Sequence, residues 1–287
     1  MTDLVLDHLM IRARDWKASR AAFMRLGFLM TPLRPNKPMG GDTGKAGSQL
    51  ALFDSPDDRC PNYFELSSFN PTSAHPMMTE ILGGVDGGAM LVHRTGDVDQ
   101  VRQRWSEAGI SSPDPWRISF PTTGSVIGDS FDILFASPAS SPIFVNAVRS
   151  ENLDAYRARE WRDHPNGARS WTKTLIVAPG DTFRPTIEFF KTLLVDAVED
   201  EGEEWSRFRT GPVCMNVVAR TEWPGLEMRT EPFIAGVELS VGDIDVVQKL
   251  LAASEIDAVH HNGGVHVGAR DGAGLCFRFI QAERDSR

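Results

Sequence analysis

The chemistry open to this chain has to be sought among a few side chains, of which His8, Arg12 and Arg94 stand on regular elements. In the apolar run over residues 4–11, strand alternation puts Leu4, Leu6, His8 and Met10 on one face. Val5, Leu9 and Ile11 share the other, with Asp7 as its polar interruption. The second face can pack under a helix, which leaves His8 directed towards a cleft. Arg12 follows His8 by four residues, and Arg94 follows Met90 by four. Two guanidinium groups converging at the end of one cleft could hold a carboxylate or phosphate by bidentate hydrogen bonds. The alternative is that both reach solvent at strand ends. Tyr63 and Met10 read equally as cleft lining and as core.

Other catalytic signatures are missing. There is no G-x-S-x-G elbow, P-loop or H-E-x-x-H, and Gly83, Gly84, Gly87 and Gly88 follow a loop, so no nucleotide cofactor is expected. Cys60, Cys214 and Cys276 occur singly, which argues against a disulfide framework or zinc knuckle and fits a reducing cytoplasm. His260, His261 and His266 surround a predicted hairpin turn and read as solvated. The sum of 30 basic and 39 acidic residues is −9, with no basic stripe, so neither nucleic acid nor an anionic membrane is expected as a partner. No signal peptide is read at the N-terminus and no apolar run reaches the roughly 20 residues of a membrane span, so a soluble protein is expected.

The elements that must position these groups recur. A strand leads to an Asp that opens a helix, a Gly stops it, and short β-rich runs follow. Asp15 to Gly27 and Asp97 to Gly109 repeat with the same spacing, an offset of 82 residues at both ends. A third copy opens at Asp181 and a fourth at Asp243, each with apolar residues at helical spacing after it. The spacing predicts an α+β chain of four βαβββ modules. They pair into an N-terminal domain over 1–150 (modules 1–85 and 86–150) and a C-terminal domain over 168–283 (modules 168–220 and 233–283). A charged segment, 151–167, connects them.

With LDHLMIRARDWKASRAAFMRLGF at the start, NYFEL closing the first module and HPNGA opening the second half, the chain resembles the vicinal oxygen chelate superfamily, and within it the glyoxalase-like branch. The resemblance implies two glyoxalase/bleomycin-resistance-like domains, each a curved mixed sheet with helices outside and a metal-binding cleft inside. It places His8 and Glu65 at metal-ligand positions, with Zn, Fe, Mn, Ni or Co as candidate ions. Glu65 or a neighbouring carboxylate would move the proton.

The remaining ligand positions depart from the family pattern. The offset of 82 puts Met90 opposite His8, and Asn146 stands where a second Glu is expected. His93 has the wrong strand parity. The C-terminal pair offers Thr174, Gly236 and Arg278, which disfavours a dioxygenase centre there. His164 in HPNGA either folds back over the cleft or caps the turn at Asn166-Gly167. Two functional classes therefore stay open: a lyase or isomerase acting on a small, anionic, oxygen-bearing molecule with metal assistance, or a metal-free binding or sequestering protein. Exposed sheet edges would also allow a homodimer, and a silent assembly module is a third reading.

Overall fold

The computed structural model describes residues 4–40, 46–55, 57, 60–122, 128–195 and 197–282. The first module comprises β1 (Val5–Arg12), α1 (Trp16–Arg25), β2 (Arg34–Pro35), β3 (Gly47–Leu52) and β4 (Tyr63–Ser68). A short α2 (Pro76–Leu82) leads to the second: β5 (Gly87–Arg94), α3 (Val98–Glu107), β6 (Trp116–Phe120), β7 (Asp129–Phe135) and β8 (Phe144–Ser150). The third has β9 (Ala168–Val177), α4 (Phe183–Leu193), β10 (Val198–Glu201), β11 (Trp205–Thr210) and β12 (Val213–Val218). The fourth has β13 (Phe233–Val241), α5 (Ile244–Ala253), β14 (Ala258–His261), β15 (Gly264–Val267) and β16 (Cys276–Gln281).

These strands form two eight-stranded sheets, ordered β2-β3-β4-β1-β5-β8-β7-β6 and β10-β11-β12-β9-β13-β16-β15-β14. In each module the first strand runs parallel to the last, a pairing that needs a crossover, here supplied by a helix and a meander. The first strands of paired modules, β1 with β5 and β9 with β13, run antiparallel at the sheet centre. The α+β class and the βαβββ units expected from the spacing are those observed. Residue 283, at the expected end of the second domain, lies outside the described residues.

Local chemistry accounts for the helix ends. Asp15 accepts from the amides of Lys17 and Ala18, Asp97 from those of Asp99 and Gln100, and Asp243 from that of Asp245. The third module differs: Asp181 lies in a short 3₁₀ turn, and α4 starts after Thr182 with no side-chain cap. Gly27 stops α1 at φ 83°, and a Cβ there would come within 2.7 Å of Leu250 and 2.9 Å of Asn166. The position thus needs glycine both for its backbone and for the close approach of the second half.

That approach reflects a core shared by both sheets. Phe28 packs within 5.6 Å of Phe277 and 6.0 Å of Phe53, and Phe23 of α1 meets Phe277 edge-on. Helix-side residues of the first sheet, Leu9, Phe64 and Leu91, belong to the same buried cluster as Trp171, Val237 and Phe279. Segment 151–167 is a strap bound to the first half. Its Asn166 donates to Leu26 O, and His164 accepts from the Leu29 amide while contacting Leu52 O. Among the described residues no helix is long and apolar enough to cross a membrane.

Because Phe28 joins the two halves, Phe28→Ala is expected to destabilise the chain by about 3–5 kcal/mol, measured by urea unfolding. A loss below about 1 kcal/mol would show that the aromatic cluster does not hold the halves together.

Candidate active site in the first sheet

The sequence of β1 breaks its own alternation. Leu6 pairs with His93 of β5 and His8 with Val92, so Asp7 is an extra residue, a β-bulge. The bulge brings Asp7 and His8 to the same, concave face and turns Leu4 and Leu6 to the helix side with Leu9 and Ile11. Expecting Leu4 and Leu6 to share the face of His8, and Asp7 to face the helix, was therefore wrong for one reason: a carboxylate under the helix would be buried without a partner.

On the concave face the polar groups form a chain. Arg94 donates from Nε and Nη2 to Asp7 Oδ2, both at 2.7 Å. Asp7 Oδ1 lies 2.6 Å from His8 Nδ1, and His8 Nε2 lies 3.2 Å from Glu65 Oε2. Ser48 and Ser67 donate to Glu65 Oε1 at 2.5 and 3.0 Å. The His8 ring stacks on Tyr63 at 4.3 Å, and Tyr63 on Tyr156 of the strap at 4.9 Å.

Electrostatics decide the protonation states. Burial alone raises the Asp7 carboxyl, but the Arg94 charge and the His8 hydrogen bond outweigh it and hold it below its ordinary range. Burial likewise raises Glu65, and the hydrogen bond and charge of His8 with the two serines bring it down. Burial lowers His8, yet its bonds to Asp7 and Glu65 win and hold it above 6.5. Between pH 4.5 and pH 6.5 the network is then Arg94⁺, Asp7⁻, His8⁺, Glu65⁻, a closed set with no net charge.

Around it the wall is apolar. Met10, Met39, Met78, Met90, Ile133 and Phe135 form one buried cluster, closed on one side by α2 and the turn Lys37–Met39. The space between the walls, open solvent at the mouth included, is ≈ 700 Å³, and the volume open to the centre of a water molecule is ≈ 60 Å³.

The βαβββ pairing has counterparts among known proteins. A model of the glyoxalase-like domain matches residues 6–194, more than half of the chain. The chain belongs to the glyoxalase-like domain family. Its structural neighbours are members of the vicinal oxygen chelate superfamily. The Mn(II)-bound glyoxalase from Novosphingobium aromaticivorans has a TM-score of 0.56 at 12% identity, covering 97% of this chain and 81% of that one. A mutant 4-hydroxymandelate synthase from Streptomyces coelicolor has 0.60 at 14% identity, covering 98% and 93%. A hypothetical protein from Staphylococcus aureus has 0.67 at 12% identity, covering 97% and 100%. At these identities the likeness shows the fold alone. No curated protein matches the chain in sequence.

Within this glyoxalase-like fold the sequence-predicted residues divide. His8, Glu65, Tyr63, Met90, Asn146 and Arg94 all line the concave cleft of the first sheet. Arg12 does not join them. Equivalent positions on antiparallel β1 and β5 fall at opposite ends, Val5 opposite Arg94 and Arg12 opposite Gly87, so the two guanidinium groups cannot converge. Arg12 donates instead to Ile81 O and Gly88 O at 2.7 and 2.9 Å. His164 is also outside the cleft, packed on Phe53 and Phe28 in the strap, where burial pushes its ring down to about 4. His266, expected in solvent, is buried, and burial takes it to about 4 as well. Sequence reasoning missed Asp7, Ser48, Tyr156 and Arg34. Only Asp7 left a signal, as the lone acid on an apolar face.

Whether these residues fit the metal typical of the superfamily depends on the donors. His8 Nε2 and Glu65 are two, whereas stable sites for such ions use three or four. The next positions hold the Met90 thioether and the neutral Asn146 amide, poor ligands for a hard ion. Among the described residues no group of three His, Cys, Asp or Glu is placed to hold an ion. The set does not fit a divalent metal. In the second sheet, Glu238 is taken up by Lys173 at 3.0 Å and Arg278 at 2.6 Å.

The stability of the network has a defined pH window. His8 is held above 6.5, so its contribution is full below that value and is lost as pH rises through the folded value. Asp7 and Glu65 are held below 3.8 and 4.5, so theirs is full above those values and is lost as pH falls through the lowered ones. Thermal melts should show His8→Gln costing more stability near about pH 5.5 than near about pH 9; the reverse order would contradict the imidazolium. Asp7→Asn, which leaves Arg94 buried without its partner, should cost about 3–5 kcal/mol at neutral pH.

Proposed function

We propose that the cleft of the first sheet binds a small oxygen-bearing molecule and moves a proton on it, as a lyase or isomerase would. The observation that carries this is the contact between His8 Nε2 and Glu65 Oε2 at 3.2 Å, within a cleft whose wall is mostly apolar. Buried ionised pairs are not needed for stability, since apolar residues can replace them without loss. Keeping one where a ligand would lie points to use.

The roles follow from the charges. Glu65 is the only carboxylate of the network not tied to an arginine, and it takes a proton from carbon next to a carbonyl. His8 donates its Nε2–H to the oxygen on which negative charge builds up, with Asp7 and Arg94 holding the ring and its charge. A ligand oxygen entering between the two breaks the bond that keeps Glu65 acidic, and this raises its basicity on binding. Asn146, whose Oδ1 is buried without a donor, offers an acceptor to a substrate hydroxyl.

A second reading, a binding protein without turnover, is favoured by one observation: Arg94, Asp7, His8 and Glu65 already satisfy one another. Carbon-bound proton exchange with deuterated water, followed by NMR on a panel of hydroxy-ketones and hydroxy-acids, separates the two. Exchange is expected, falling at least about hundredfold in Glu65→Gln while ligand binding persists. Binding without exchange would favour the second reading. Elemental analysis of chelator-free protein should return no stoichiometric divalent ion. An ion lost on His8→Ala would overturn metal-free chemistry.

A further inference from the structure

Among the described residues, Arg34 is the one charged side chain lining the cleft that the network leaves out. It lies on the short edge strand β2, opposite Ser48, and is 7% exposed. Its guanidinium sits over the Phe120 ring at 4.5 Å, and both residues line the cleft. Among the described residues no carboxylate lies within ion-pair distance of it, and its buried Nη2 has no hydrogen-bond partner. Asp129, opposite Phe120 in the register and so on the same face, is occupied otherwise: it accepts from Ser150, Tyr156 and the Asn152 amide.

A buried guanidinium without an acceptor is costly, and the aromatic face beneath it offsets only part of that cost. The planar fork is shaped for a carboxylate or phosphate. Arg94, Asp7, His8 and Glu65 bond to one another, so Arg34 has one positive charge of its own to match, which favours a monoanion over a phosphate dianion. The rest of the wall, with Met10, Met78, Ile133 and Phe135, suits an apolar body.

We infer that Arg34 is an anion-binding residue of this cleft and that the occupant is a small carboxylic acid with an apolar body, its carboxylate on Arg34 and its other end towards His8 and Glu65. The inference rests on the reading of the cleft as a small-molecule site, but not on turnover.

The test is calorimetric titration of the full chain with hydrocinnamate, octanoate, their neutral amides, and phenyl phosphate. The wild type should prefer each acid to its amide by about tenfold or more, and to the phosphate. Arg34→Gln should lose that preference while still binding the amides, and Arg34→Lys should recover part of it. Arg34→Met, which removes an unpaired buried charge, should not lower the melting temperature of the ligand-free protein. Equal binding of acid and amide, preference for the dianion, an unchanged preference in Arg34→Gln, no binding of any probe, or a large drop in melting temperature would each overturn the inference. Equal binding of acid and amide would leave the acid–base reading intact, because that reading fails only through loss of proton exchange.

Discussion

Four ionised groups buried in one cleft, Arg94, Asp7, His8 and Glu65, must each have a partner, and the local structure around them follows from that requirement. The bulge in β1 exists where Asp7 would otherwise sit beneath a helix with nothing to pair with. The antiparallel pairing of β1 with β5 brings Arg94 beside the start of β1, opposite Val5. Parallel pairing of β1 with β4 sets Tyr63 beside His8 and Glu65 beside Met10, close enough for the His8 contact. Ser48 of the neighbouring β3 and Ser67 of β4 itself complete the carboxylate. Removing any one member would strand another, so the network is retained or lost as a unit.

The two halves share an architecture and differ in what they place inside it. In the first, the inward positions hold the His8–Glu65 contact beside an apolar wall closed by α2. In the second, Glu238 is held between Lys173 and Arg278. The second half instead contributes to the shared core: Phe277 and Phe279 pack behind β1 and β4 through Phe28 and Phe64. A duplicated fold thus carries one candidate site, since packing constrains the helix side of each sheet while the concave side is free to vary.

How far the sequence could be read depended on the kind of signal. The modules were legible because Asp caps and Gly stops recur with a fixed offset, and each has a local physical cause. His8 and Glu65 could be placed on one face by alternation and by family resemblance. What failed was whatever depended on register or on distant segments. A bulge shifts every side chain beyond it to the other face, and one-residue alternation cannot foresee it. Repeat equivalence aligned Arg12 with Arg94, but equivalent residues on antiparallel strands sit at opposite ends. Arg34 lies on a two-residue edge strand and Tyr156 in the connecting segment, and only tertiary packing brings them to the cleft.

The central claim is that His8 is a buried imidazolium held between Asp7 and Glu65. Nitrogen-detected NMR of the histidine rings across a pH titration tests it most directly. The account predicts one ring, absent in His8→Gln, that stays protonated at both nitrogens at a pH above the ordinary 6.5. A His8 ring that is neutral at that pH, or that carries a metal-shifted nitrogen in protein as purified, would contradict it.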